Sequence, residues 1–92
     1  MKIKNVKIRN EKWEIHDQEE LKVPLLGLCD YEHKRISGPF DGDEKHELDT
    51  IIHEVLHASL PDLNEDAIAE SAETLANILW ELNWRKNFDE IK

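Results

Sequence analysis

A chain of 92 residues with 39% hydrophobic and 36% charged content has the size and balance of one small globular domain with one modest core. Its net charge of −9, from 21 acidic against 12 basic residues, argues against a general grip on nucleic-acid backbone or anionic membrane, which need clustered lysine and arginine. One cysteine, Cys29, rules out an intramolecular disulfide framework; with no stretch near the ~18 apolar residues of a membrane span and no apolar signal region in residues 1–20, a cytoplasmic location is expected.

Residues 1–16 have the pattern of a β-hairpin. Ile3, Val6 and Ile8 alternate imperfectly among lysines, and Trp13-Glu14-Ile15-His16 alternates cleanly after a polar Asn10-Glu11 turn. Lys2, Lys4, Lys7, Arg9 and Lys12 crowd this start; they read as a solvated strand face, with a local docking surface as the alternative. His16 falls on the polar phase and reads as structural. A polar connection from Asp17 closes at Pro24, and residues 26–38 suggest a second hairpin turning at Glu32-His33-Lys34, with Gly27 marking a bulge or a close backbone approach. Gly38 to Asp43 is a loop.

Two helices follow. The first is expected over 43–60, with Asp43 as its N-cap and Glu44 and Glu47 in the first turn, where the helix dipole favours negative charge. At about 100° per residue, Leu48, Ile51, Ile52, Val55 and Ser59 share a face that would pack on the sheet, leaving His53 and His57 turned toward whatever covers the other side. The second is expected over 63–86, with an apolar stripe of Ile68, Ala69, Ala72, Leu75, Ala76, Leu79 and Leu82. Trp80, Trp84 and Phe88 would form an aromatic patch for homodimerisation or cap the core against the first strand.

The first helix carries His53-Glu54-x-x-His57. Residues i and i+4 stack on one helix face, so the two imidazoles can converge on one point, as two of the three protein ligands of a catalytic zinc, with Glu54 at the position of the general base. A third ligand must come from downstream. Helical phase aims Glu65 at the first helix, whereas Glu70 lies nearly opposite and Asp62 in the loop is the reserve. Glu65 also has a capping reading, because Asp62-x-x-Glu65 fits a helix-start capping box.

Ile51 to Ala58, followed by Asn64-Glu65-Asp66-Ala67-Ile68, resembles the small zincin-like metallopeptidases of phage and prophage genomes, which are distantly similar to SprT-like and ImmA/IrrE-like proteins. Gly27 to Tyr31 and Ile36, just upstream, are similar too. The resemblance spans about residues 25–84. It implies an α+β minimal zincin fold, a small antiparallel sheet of three or four strands packed on the motif helix, and a second helix supplying an acidic ligand. It also implies a hydrolase with a Zn2+ cofactor, bound by His53, His57 and Glu65 and served by Glu54, in a host cytoplasm if phage-encoded. The residues after His57 lack the x-x-Gly-x-x-His extension and Met1 is the only methionine, which excludes a metzincin.

In such an enzyme Tyr31, His33, Arg35 and His46 are possible oxyanion donors, Tyr31 also having a packing role. Residues 34–38 would offer the edge strand for a peptide or protein substrate, and Arg35 would favour an acidic one. Cys29 reads as a buried thiol or an inhibitory metal ligand. The alternative function is a non-catalytic, zinc-stabilised adaptor or inhibitor that binds another protein.

Overall fold

A computed structural model describes residues 2–17, 28–38 and 44–85 of the protein. The expected Asp17–Pro24 connection (beyond Asp17), Gly27, the Asp43 cap and Phe88 lie outside the described residues. The elements run β1 (Lys2–Ile8), β2 (Glu11–Asp17), β3 (Leu28–Asp30), β4 (Arg35–Gly38), α1 (Glu44–Ser59) and α2 (Glu65–Glu81). The class is α+β: a four-stranded mixed sheet with two helices.

The first hairpin turns one residue earlier than its polar pattern suggests. Arg9 and Asn10 both take positive φ, 53° and 65°, and Ile8 pairs with Glu11. A two-residue loop with both residues left-handed matches the right-handed twist of the strands it joins. The register puts Val6 opposite Trp13, so both add to one apolar face, where a one-residue slip would send them to solvent.

The sheet is not antiparallel throughout. Its order is β1-β2-β4-β3, and β4 runs parallel to β2 while pairing antiparallel with β3. Each hairpin is legible locally, but the insertion of β4 between β2 and β3 is a long-range choice. It gives Ile36, fully shielded from solvent, a central strand, and burying such a side chain is worth about 1.5–3 kcal/mol. Residues 34–38 are therefore not the open edge expected of them; that edge is β3.

Ile8, Trp13, Ile36 and Ala58 form the core beneath the sheet, with Val6, Cys29 and Val55 packed against it. The ring of Tyr31, in the β3–β4 turn, meets Trp13 edge-on at 6.2 Å. On the sheet, His16 bonds to Glu14 at 2.8 Å, as befits a structural histidine.

The sheet-facing side of α1 differs from the expected stripe. Its buried residues are Glu47, Thr50, Glu54 and Ala58, while Leu48, Ile51, Ile52, Val55 and Ser59 are half-buried. The helix is covered on two sides, by the sheet and by α2, so its aliphatic residues divide between them. Val55 goes to the core, whereas Leu48 and Ile51 border a groove with Leu79, Trp80 and Trp84. The two tryptophans thus lie beside α1 rather than against the first strand.

Among the described elements α2 packs on α1 alone. A single neighbour covers only a narrow strip, and Ile68, Ala72 and Ala76, spaced four apart, fill it. Ala69, Leu75 and Leu82 of the expected stripe are exposed. The helix also stops before residue 86. Asn83 adopts φ 66°, its N–H bonds to the Trp80 carbonyl, and the Trp84 N–H reaches the Leu79 carbonyl, a Schellman closure that ends the helix. The Arg85 guanidinium then lies 3.4 Å above the Trp80 ring. Neither described helix is long and apolar enough to cross a membrane.

At its other end, the Asn64 Oδ1 accepts from the Ala67 N–H at 2.8 Å and caps α2. Asp62 is not the cap, so Glu65 occupies the first helical position and not the third position of a capping box. Asn64→Ala is expected to cost about 1 kcal/mol, within a 0.5–2 kcal/mol range, and Asp62→Ala less than about 0.5 kcal/mol. Urea-unfolding midpoints of the two variants measure this; equal shifts would refute the assignment of the cap.

Candidate metal centre

Capping by Asn64 leaves the Glu65 carboxylate free to reach back to α1. Its Oε1 lies 2.8 Å from His53 Nε2 and its Oε2 lies 2.6 Å from His57 Nε2. The imidazole rings stand 5.0 Å apart on successive turns. One donor atom from each of the three residues falls within 4.8 Å of the others, the only such grouping that includes three potential ligands among the described residues. Asp62, Glu70 and Cys29 do not join it.

The donor set fits a metal ion. Zinc with bonds of about 2.0–2.2 Å to nitrogen and oxygen requires tetrahedral donors separated by roughly 3.3 Å, a spacing between the 2.6–2.8 Å histidine–carboxylate contacts and the 4.8 Å limit of the group, so it would be reached by adjusting all three side chains. Two imidazoles and one carboxylate would give such an ion three protein ligands. The imidazoles are about three-quarters shielded from solvent, whereas Glu65 is 63% exposed.

Glu54 stands beside this group without belonging to it. Its position on α1 turns it toward the sheet, where it is 7% exposed, and it lines the same cavity of about 490 Å3 as His53, His57 and Glu65. Burial pushes its carboxyl above the usual range, partly offset by the neighbouring imidazoles of His53 and His57 and reinforced by Glu65. A buried carboxylate with raised proton affinity beside a candidate metal group is suited to accepting a proton.

The opposite wall is built from Leu28, Cys29 and Tyr31. The Tyr31 hydroxyl donates to the His57 carbonyl oxygen at 2.7 Å, fastening the β3–β4 turn to the motif helix. Of the four expected oxyanion donors, Tyr31 and His46 line the cavity. His33 instead bonds to Asp30, whose carboxyl it holds below the usual range, and Arg35 sits on the interior strand β4, 3.9 Å from Glu14. Arg35 does not line the cavity, so it cannot draw an acidic substrate there.

Cys29 behaves as a shielded thiol. Desolvation pushes it up to about 11, against a smaller opposing effect from its hydrogen bond with Tyr31. Its thiolate fraction at pH 8 should therefore be lower by about two powers of ten than that of an ordinary cysteine. Alkylation by iodoacetamide at that pH, followed by intact mass, is expected to be about 100-fold slower in the folded protein than in urea. Equal rates would contradict this environment.

Sequence reasoning passed over Asp49 and Thr50, which also line the cavity. Asp49 precedes His53 by four residues, as His53 precedes His57, so the spacing that revealed the histidine pair would have found it too.

No family model, no curated protein and no solved structure matches this chain. Fold and site together define an α+β protein with a possible metal-binding His-His-Glu group, the identity of the metal being open.

Proposed function

We propose that the chain is a zinc-dependent metallopeptidase of the small zincin-like type that hydrolyses a peptide or protein substrate. One observation carries the reading: the Nε2 atoms of His53 and His57 converge on the Glu65 carboxylate, with buried Glu54 lining the same cavity. Zinc suits this mixed imidazole and carboxylate donor set, and the spacing of the histidines around Glu54 favours a hydrolytic role over a redox one.

His53, His57 and Glu65 would hold the ion, which when bound supplies Lewis acidity to a water molecule and to the scissile carbonyl. Glu54 accepts the proton that water loses as its oxygen bonds to the carbonyl carbon. It returns that proton to the amine nitrogen as the C–N bond breaks, so the products are a carboxylate and an amine. Tyr31 and His46 line the cavity in which the carbonyl oxygen gains charge, and the Tyr31 hydroxyl would have to turn from the His57 carbonyl to donate to it. An extended substrate laid along the outer edge of β3 would pass between this wall and the motif helix.

Zinc-loaded protein incubated with an unfolded protein substrate is expected to yield new N-termini, detectable by mass spectrometry, and chelator should abolish them. Stoichiometric zinc without cleavage would favour the second reading, a non-catalytic adaptor or inhibitor stapled by zinc. Among the described elements α2 attaches to α1 alone, which supports that alternative.

A further inference from the structure

The cavity has a feature that peptide hydrolysis does not require. Among the described residues its acidic groups are the carboxylates of Asp49, Glu54 and Glu65, and no lysine or arginine lines it. Glu65 is engaged by both imidazoles and Glu54 is committed to the proton. Asp49 is half-buried and has no hydrogen-bond or ion-pair partner among the described residues.

We propose that Asp49 is a specificity-determining residue, selecting substrates that carry a lysine or arginine side chain beside the bond to be cut. This rests on the peptidase reading. Asp49 stands four residues before His53, one turn or about 6 Å along the helix axis. An extended peptide advances about 3.3 Å per residue, so a side chain one or two positions from the scissile bond comes level with this carboxylate.

There is room for a long side chain. Asp49 also lines an adjoining cavity of about 260 Å3, shared with Lys45, His46, Glu73, Ala76 and Asn77. Lys45 is the one lysine or arginine lining either cavity among the described residues; it is exposed and stands four residues before Asp49 on α1. A substrate ammonium or guanidinium would give Asp49 the charged donor it lacks, a hydrogen bond stronger than a neutral one. It also agrees in sign with the chain's charge of −9.

The test measures binding, so it does not depend on turnover. Zinc-loaded Glu54→Gln protein is titrated by fluorescence anisotropy with labelled peptides that differ only in lysine, alanine or glutamate at each of two positions on either side of the central bond. At one of these positions lysine should bind about tenfold tighter than alanine. Adding Asp49→Asn should cut that ratio below about twofold, and Asp49→Lys should make the glutamate peptide the tighter ligand, which a merely structural role for Asp49 would not produce. The proposal is overturned by no lysine preference at any position, by no peptide binding, by a preference that survives Asp49→Asn, or by loss of zinc from that variant. Failure of the peptidase reading looks different: wild-type zinc protein would bind the lysine peptide with the stated preference and leave it intact.

Discussion

Restoring zinc to chelator-stripped protein is expected to raise its thermal midpoint by about 15–30 °C. Free zinc at 1,000 times its dissociation constant contributes about 4 kcal/mol, and each kcal/mol moves the midpoint of a domain this size by about 4–8 °C. The effect is large because little else holds the two helices together. Of the described residues of α2 only Ile68 and the small Ala72 and Ala76 are buried, and they lie in the strip packed on α1. The three proposed ligands span that junction, two on α1 and one at the first position of α2. His53→Ala should remove nearly all of the zinc-dependent shift, since an ion left with two protein ligands is weakly held. Glu65→Gln should remove much of it, because the neutral amide offers a poorer oxygen donor. Scanning calorimetry with metal analysis of each protein provides the measurement. Unchanged midpoints with and without chelator, in protein containing no near-stoichiometric zinc, would dispose of the metal centre.

The part of this centre that could be read from the sequence was its local geometry. His53 and His57 share a helix face because of their spacing alone, and Glu65 was singled out by continuing the phase of Ile68 and Ala69 backward. What resisted reading depends on distant partners. Whether Glu65 served a cap or α1 turned on Asn64 taking the cap in place of Asp62, two candidates of similar capping ability separated by two residues. The edge strand lies beyond local pattern, because two legible hairpins do not reveal how they join; β4 enters between β2 and β3, where Ile36 is sheltered. The buried face of α1 departs from its apolar stripe because a single stripe fits one covering layer, and the helix has two. The end of α2 was within reach, since Asn83 is among the few residues that readily take the left-handed conformation closing a helix.

Glu54→Gln is expected to have two effects that separate chemistry from assembly. Peptidase turnover should fall by about 10²–10⁴, the usual contribution of a positioned general base, while zinc content stays level, because Glu54 lies outside the ligand group. The metal-free variant should also be more stable than metal-free wild type at neutral pH. Burial raises the proton affinity of Glu54 in the folded state above that in the unfolded chain. Between those two values the folded state binds more protons, so rising pH lowers wild-type stability through that window, and the penalty persists above it. Glutamine has no charge to desolvate and escapes the penalty. The gain should therefore vanish below the unfolded carboxyl's range, near pH 4, where Glu54 is neutral in both states. Midpoints measured from pH 3 to 8 on chelator-stripped proteins follow this difference. A variant that loses both zinc and turnover would make Glu54 a residue of site assembly. One that keeps full turnover would assign the proton transfer to another group. Retained zinc, lost turnover and a stability gain confined to higher pH would together be the signature of a buried base, which exacts its desolvation cost from the fold in order to be ready for the proton.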